Sequence, residues 1–319
     1  MADPDPSAPR PENRIRTSLP RLVDHVRQEY GLGGTSWSVI TTGYEDCNVR
    51  IGNGAFGVVV KVFAVDRPRG IAGRTAGLIA RARAAGVRHP RLWPDAAGRL
   101  VHEFDGHQLI VMDRAAGRTF YELGRFPDPG ELEKVIAQTA RIHSVDARPE
   151  PVFDPWAIAN LVPLAKQVDA LLDTERRDLV RRAVDGIMEL DTGGLPSALI
   201  HADLTAGNVL LGDDEEITIL DFALANRWPR LQELAVIAAS LLHGSPEPVA
   251  ARMITVADLY DERVAVPLTE AERAALPGFG RAAAAMELLG GLSQWQQGNR
   301  GAQTRQLIEI GTASLRDYG

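Results

Sequence analysis

Two polar residues with a spacing suited to phosphoryl transfer lie in the segment 201–211, which reads HADLTAGNVLL. Asp203 and Asn208 stand five residues apart on a predicted loop between two short apolar strands. A carboxylate in such a loop can orient an attacking hydroxyl and accept its proton, and an amide oxygen can reach the metal that holds the phosphates. The simpler interpretation makes His201 a hydrogen-bonded core histidine and Asp203 a cap or turn residue.

A third candidate, Asp221, follows at the end of a predicted strand, between Leu220 and Phe222. A carboxylate there can bind a Mg²⁺ ion that bridges nucleotide oxygens. The order and strand context of these residues favour phosphoryl transfer. The competing chemistry is a metal hydrolase, which needs further histidines nearby; His143 sits on a predicted helix and His243 is distant in sequence.

Two other segments could contact a nucleotide. Lys61 lies in the apolar strand 58–63, where it can face the α- and β-phosphates; alone it would be interpreted as a surface lysine. The backbone of Met112, Asp113 and Ala115 could bond the edge of an adenine ring, or form a plain linker.

The tight loop 43–47 is a weaker candidate. Backbone N–H groups at Gly43 and Tyr44 could meet phosphate oxygens. Glu45 and Asp46 carry charges that oppose phosphate, so we expect their side chains to point outward.

The predicted helices and strands that must position these residues indicate an α+β chain with two lobes. After a tail at 1–14, residues 15–114 should form a small, antiparallel, β-rich nucleotide-binding lobe, and residues 115–319 a larger, mostly helical catalytic and substrate-binding lobe. The cleft between such lobes is the expected ligand site. The predicted helices span 18–30, 71–85, 131–144, 156–171, 175–190, 281–296 and 304–315, with further helix starts at Thr269 and Leu231.

Composition narrows the function classes. The net charge of −7 argues against a nucleic-acid partner; it is explained best by general solubility and is also compatible with a cationic substrate. The single cysteine, Cys47, allows no disulfide framework and fits a reducing cytoplasm. The N-terminus does not resemble a signal peptide, and no apolar run reaches membrane-spanning length.

With its loop 201–208 and Leu220-Asp221-Phe222, the sequence resembles the aminoglycoside phosphotransferase and choline kinase superfamily, which has a protein-kinase-like fold. The segments 30–33, 43–48 and 267–277 resemble its type II homoserine kinase branch. The resemblance covers roughly residues 18–316.

The resemblance implies ATP and Mg²⁺ as cofactors and a role for each matched residue. Asp203 would be the catalytic base and His201 would brace its loop. Asn208 and Asp221 would hold Mg²⁺, and Lys61 would bind the nucleotide phosphates. Glu233 occupies the place of a structural aspartate of the family.

One departure concerns the partner of Lys61. Such kinases pair the strand lysine with a glutamate on the next helix, but the matching positions are Thr75 and Ala76, and 71–85 contains no acid. Either another carboxylate substitutes, for which Glu103 is the candidate, or nucleotide binding is weaker. We also expect Lys61 to be less constrained, with a pKa that falls on burial.

The sequence therefore predicts an ATP-dependent kinase for a small hydroxylated molecule, with a catalytically impaired, ligand-binding relative as the alternative. The short gap from Asp221 to the helix at Leu231, without an Ala-Pro-Glu segment, argues against a protein kinase. Amino alcohols such as homoserine, aminoglycosides, related peptide antibiotics, choline-like bases and sugars all stay open as acceptors, as does the oligomeric state. The candidate pocket residues are Trp228, Asp258, Glu287, Trp295 and Gln296.

Overall fold

The computed structural model describes residues 15, 17–33, 36–40, 46–52 and 57–318, without the side chain of Gln303. The expected tail 1–14 and the loop residues Gly43, Tyr44 and Glu45 lie outside the described residues. The chain forms two compact units. Of the described residues, one unit comprises those up to Arg118 and Leu210–Ala223, and the other Thr119–Val209 and those from Leu224 onward.

Helices and strands alternate in the first third of the chain, and helices dominate the rest. In chain order the elements are α1 Leu19–Tyr30, β1 Trp37–Ile40, β2 Cys47–Ile51, β3 Val58–Val62, α2 Ile71–Ala84, β4 His102–Phe104, β5 His107–Asp113, β6 Arg118–Thr119, α3 Phe120–Leu123, α4 Pro129–His143, α5 Leu161–Val168, α6 Thr174–Met188, β7 Ser197–Ile200, β8 Val209–Leu211, β9 Ile217–Ile219, β10 Asn226–Pro229, α7 Leu231–Val236, α8 Val249–Asp261, α9 Glu270–Gln296 and α10 Ala302–Arg316.

The β-rich unit is built on a five-stranded antiparallel sheet in the order β1-β2-β3-β5-β4. Alternation along β3 sorts its residues between the two faces of the sheet. Val58, Val60 and Val62 join a buried cluster that also contains residues of α1, such as Leu22. Lys61 is consequently directed to the opposite face of the sheet, which is the first requirement for the predicted site.

The helical unit is organised around α9, which packs against α5, α6, α7, α8 and α10. Close approach to α10 requires a glycine: a Cβ on Gly311 would lie 2.3 Å from the backbone nitrogen of Leu288. The α9 helix begins at a capping box in which Thr269 and Glu272 bond each other's backbone N–H groups. Among the described helices, none is long and apolar enough to cross a lipid bilayer.

Several predicted boundaries were wrong. The helix start predicted at Thr269 is confirmed, but the separate helix predicted over 281–296 is wrong. A single helix, α9, runs from Glu270 to Gln296 and continues through Pro277 despite the missing N–H group of the proline. The predicted helix 156–171 is α5 with a short 3₁₀ turn on either side. The sequence interpretation also missed β10, which pairs with β7, and α8. Burial along most of α9 explains its continuity: the helix is held by its neighbours rather than by its own propensity.

Candidate active site

The loop between β7 and β8 arranges three predicted site residues around one another in the helical unit. The backbone N–H of Asp203 donates to Nδ1 of the buried His201, at 3.2 Å. Asn208 Nδ2 donates to the Asp203 carboxylate oxygen Oδ2 at 2.6 Å and to the Asp203 carbonyl oxygen at 3.0 Å. Asp203 and Asn208 are only half-buried, so both stay within reach of a ligand.

The backbone of this loop is strained, and a buried carboxylate holds it. Ala202 has a φ of +71°, a left-handed conformation that is costly for a residue with a Cβ. The backbone N–H groups of His201 and Ala202 both donate to Glu233 Oε2 on α7, the second at 3.3 Å. Such strain persists only where neighbouring contacts determine the conformation, and it is concentrated at functional sites.

Glu233 is fully buried, and its surroundings extend into a polar network. Burial raises the pKa of Glu233 to about 7, although the two backbone hydrogen bonds act in the opposite direction. His143 Nε2 lies 4.0 Å from Glu233 Oε2, and His143 Nδ1 is 2.8 Å from the hydroxyl of Tyr260. Burial lowers the pKa of His143 to about 3, so this histidine is neutral. The loop therefore rests on buried polar groups that sequence reasoning missed, apart from Glu233.

The metal-hydrolase alternative finds no support in this arrangement. Among the described residues, the one cluster of three or more possible ligands consists of Glu29, Asp95 and His102, and contains neither His143 nor His243. Asp95 in that cluster already accepts a 2.7 Å hydrogen bond from Arg99 Nε. His143 instead lies beside Glu233, the residue that holds the loop.

In the β-rich unit, Lys61 is 4% exposed and lies between two carboxylates. Its Nζ is 2.7 Å from Asp221 Oδ2 and 3.0 Å from Asp46 Oδ2. Burial by itself would lower the pKa of Lys61, but the charges of Asp221 and Asp46 outweigh it and raise that pKa above its ordinary value. The expected loss of constraint and fall in pKa were therefore both wrong.

Asp46 supplies the carboxylate whose source the sequence left open. It is 4% exposed and directed inward, contrary to the expectation that it points outward, whereas the expected substitute Glu103 is exposed. The Ala64 N–H donates to Asp46 Oδ1 at 3.1 Å, and Arg67 donates to both carboxylate oxygens at 3.3 Å. The expectation failed because it treated Asp46 only as a charge near phosphate and overlooked the buried lysine.

Asp221 follows β9 in the same unit and has a constrained backbone. Its φ is +62°, and its Oδ1 accepts a 3.1 Å hydrogen bond from the Ala223 N–H. Phe222 next to it is fully buried, with its ring edge-on to His89. The Asp221 side chain remains 34% exposed, which leaves its carboxylate accessible.

The predicted adenine contacts lie at the end of β5. Met112 pairs with Val59 across the sheet, and the Asp113 N–H is bonded to the Arg91 carbonyl at 2.9 Å. The Asp113 carboxylate accepts a 2.6 Å hydrogen bond from Trp93 Nε1. The backbone N–H of Asp113 is thus bonded within the protein. The candidate donor to an adenine ring in this segment is therefore the backbone N–H of Ala115.

Comparison with known proteins identifies the family. Residues 36–257, well over half of the chain, match the model of a family described as "Phosphotransferase enzyme family". The chain belongs to this phosphotransferase family. The matched range contains each of the predicted catalytic, nucleotide-binding and metal-binding residues, but of the candidate acceptor residues only Trp228.

Relatives of this chain include a homoserine kinase of Methylobacillus flagellatus, which is 28% identical over 205 residues. The alignment covers 62% of this chain and 61% of the relative, so the chain spans less than two thirds of the curated relative. This match supports the homoserine kinase branch suggested by the sequence.

Solved structures establish the fold of this chain as protein-kinase-like. An amicoumacin kinase, in complex with AMP-PNP, Ca²⁺ and its ligand, has a TM-score of 0.69 at 13% identity, covering 96% of this chain and 95% of that one. A spectinomycin phosphotransferase in complex with ADP and spectinomycin has a TM-score of 0.67 at 14% identity, covering 94% and 99%.

The candidate acceptor residues of this chain differ in their surroundings. Asp258 is exposed and bonded to Arg273. Trp295 faces Arg300, and Trp228 lies on β10. Glu287 stands apart, because burial raises the pKa of its carboxyl group, which accepts a hydrogen bond from Ser240. Its side chain nevertheless retains some exposure.

Proposed function

We propose that this protein is an ATP- and Mg²⁺-dependent kinase that transfers the γ-phosphoryl group to a hydroxyl of a small molecule. The observation that carries the proposal is the Asp203–Asn208 pair, held on a strained loop by Glu233. The names of the similar proteins support acceptors such as amino alcohols, aminoglycosides and other antibiotics, or related metabolites.

The donor set fits a hard cation bound with a nucleotide. Asn208 uses its Nδ2 group on Asp203, and its Oδ1 accepts no hydrogen bond from the described residues. Asp221 offers a half-buried carboxylate from a fixed backbone. Amide and carboxylate oxygens are ligands that Mg²⁺ accepts, so Asn208 and Asp221 would hold the ion. When bound, the ion would neutralise charge on the phosphates.

The residues of the chain divide the remaining work of phosphoryl transfer. Asp203 orients the acceptor hydroxyl and takes its proton as the hydroxyl oxygen bonds to the γ-phosphorus. The bond from that phosphorus to the β–γ bridging oxygen breaks, and ADP leaves with the bond's electron pair. Lys61 binds the phosphates together with the backbone N–H groups of Gly43 and Tyr44. The backbone of Met112, Asp113 and Ala115 contacts the edge of the adenine ring. His201 holds the Asp203 backbone.

The alternative of a catalytically impaired protein depended on the absence of an acidic partner for Lys61 on the following helix. The Asp46–Lys61 ion pair supplies an acidic partner and removes the reason for that alternative. We further propose that the protein acts in the cytoplasm, where ATP is available and the buried thiol of Cys47 stays reduced. We propose no nucleic-acid or membrane partner.

The test is an ADP-release screen of the purified full-length chain with MgATP against amino alcohols, aminoglycosides, peptide antibiotics, choline-like bases and sugars. We expect acceptor-dependent ADP release for at least one class, and its loss in Asp203→Asn. Stabilisation of the chain by MgATP without release for any acceptor would favour a binding protein instead.

A further inference from the structure

The helix that follows β3 cannot supply the acid that such kinases pair with their strand lysine. Between Ile71 and Ala84, α2 carries no Asp or Glu. Thr75, at one of the two matching positions, is buried, and its hydroxyl has no hydrogen-bond partner among the described residues. The carboxylate at Lys61 must therefore come from another segment.

Strand geometry explains why Asp46 reaches Lys61. Asn48 on β2 is paired with Lys61 on β3. Side chains two residues apart along extended backbone share a face of the sheet, so Asp46 and Asn48 point to the same side as Lys61. Asp46 lies one residue before β2 and opposite the residue that follows β3, which places its carboxylate diagonally across from the lysine.

Asp46 is also firmly held by groups other than Lys61. It accepts hydrogen bonds from the Ala64 N–H and from two nitrogens of Arg67. Burial alone would raise the pKa of Asp46, but Lys61 and Arg67 outweigh it and keep that pKa below its ordinary value. A charged, fully bonded carboxylate is a rigid anchor for the lysine ammonium.

The second carboxylate at Lys61 has a different task under the proposed function. Asp221 Oδ2 is bonded to Lys61, and Asp221 is also one of the two residues assigned to the metal ion. The same oxygen cannot serve the lysine and a cation equally well. A carboxylate with no other ligand to bind is needed to hold Lys61 in place.

We propose that Asp46 is the positioning residue for Lys61, taking over the role that a helix glutamate has in related kinases. This inference rests on the proposed function, because Lys61 matters here as the residue that binds nucleotide phosphates. Asp46 itself acts only through the lysine.

The lysine content of the chain allows a direct spectroscopic test. The chain contains only three lysines, Lys61, Lys134 and Lys166, so ¹³C-labelled lysine gives three ε-methylene signals that can be followed by NMR. In the wild type, at one fixed pH, we expect the two ε-methylene protons of Lys61 to give separate resonances, because its ammonium group is held between Asp46 and Asp221. In Asp46→Asn, which keeps the size of the side chain but removes its charge, the two resonances should move together as the Lys61 side chain gains rotational freedom.

Two further variants make this readout specific to Asp46. Asp46→Glu should keep the two Lys61 resonances apart, since it keeps the charge. Asp214→Asn, which removes an exposed aspartate bonded to Arg88, should leave the Lys61 signal as in the wild type. A wild-type separation of the Lys61 resonances in Asp46→Asn would overturn the proposal.

Nucleotide binding gives an independent readout by calorimetry. We expect Asp46→Asn to weaken MgADP binding about tenfold and to leave the affinity for adenosine, which has no phosphates, close to that of the wild type. In a Lys61→Met background the same change should have little further effect, because the two residues act as a unit.

The outcomes separate this inference from the proposed function. A wild type that binds neither MgADP nor MgATP would refute the proposed function. A wild type that binds MgADP, together with an Asp46→Asn variant that binds it equally well, would refute only the positioning role. Equal losses for adenosine and MgADP would assign Asp46 a purely structural role and also overturn the inference.

Discussion

Asn208 Nδ2 lies 2.6 Å from Asp203 Oδ2, so the proposed metal ligand and the proposed base hold each other in place. Asp203→Asn keeps the size of the side chain but removes its ability to accept a proton. We expect turnover to fall by about 10²–10⁴-fold, with MgADP affinity nearly unchanged. Steady-state ADP release and calorimetry measure the two effects, and Asp213→Asn, an exposed acid, is the control. Wild-type turnover in Asp203→Asn would refute its role as base.

Asn208→Ala should produce a different defect. Loss of the amide oxygen removes one proposed metal ligand, so we expect the Mg²⁺ concentration that gives half-maximal activity to rise about tenfold. Part of the lost turnover should return at high Mg²⁺, whereas Asp203→Asn should show no such recovery. An unchanged Mg²⁺ midpoint in Asn208→Ala would argue that the residue serves only to position Asp203.

Much of the β-rich unit and of the loop 201–208 could be predicted from the sequence because their residue patterns are local. The β-branched run containing Lys61 predicted a strand, and the five-residue spacing of Asp203 and Asn208 predicted a shared loop, where the structure shows them bonded. Asp46 could have been found by counting alternate residues back from Asn48. That relationship was not recognised, because the strand register was unknown and because Asp46 has a second acid, Glu45, next to it.

The buried polar network around Glu233, which holds the loop 201–208, could not be predicted in the same way. His143, Glu233 and Tyr260 come from three helices that are far apart in sequence, and no local periodicity links them. Their contacts depend on how the helices pack. The continuity of α9 through Pro277 has the same origin, since burial on several sides overrides a local breaking residue.

Glu287→Gln tests whether the acceptor carries an ammonium group. Burial raises the pKa of the Glu287 carboxyl, whose side chain keeps some exposure, and a bound cation would stabilise its charged form. We expect the KM for an amino-alcohol acceptor to rise about tenfold, with kcat and the KM for ATP little changed. Asp178→Asn is the matched control, because that aspartate is exposed and paired with Arg181. An unchanged acceptor KM in Glu287→Gln would exclude Glu287 from acceptor binding.

Glu233 should make stability depend on pH in a direction opposite to that of a typical surface carboxylate. Its folded pKa of about 7 exceeds the ordinary value of 4.5, so between these pH values the folded state holds a proton that the unfolded state has lost. The contribution of this group to the free energy of unfolding is therefore fully present below pH 4.5. It falls by roughly 3 kcal/mol as the pH rises from 4.5 to 7. Urea unfolding of the wild type and Glu233→Gln at pH 5 and pH 7.5 measures it, and the difference between the two proteins cancels the opposing contribution of His143. We expect Glu233→Gln to gain stability relative to the wild type at the higher pH; a difference that does not change with pH would show that Glu233 is ionised throughout and braces the loop as a carboxylate.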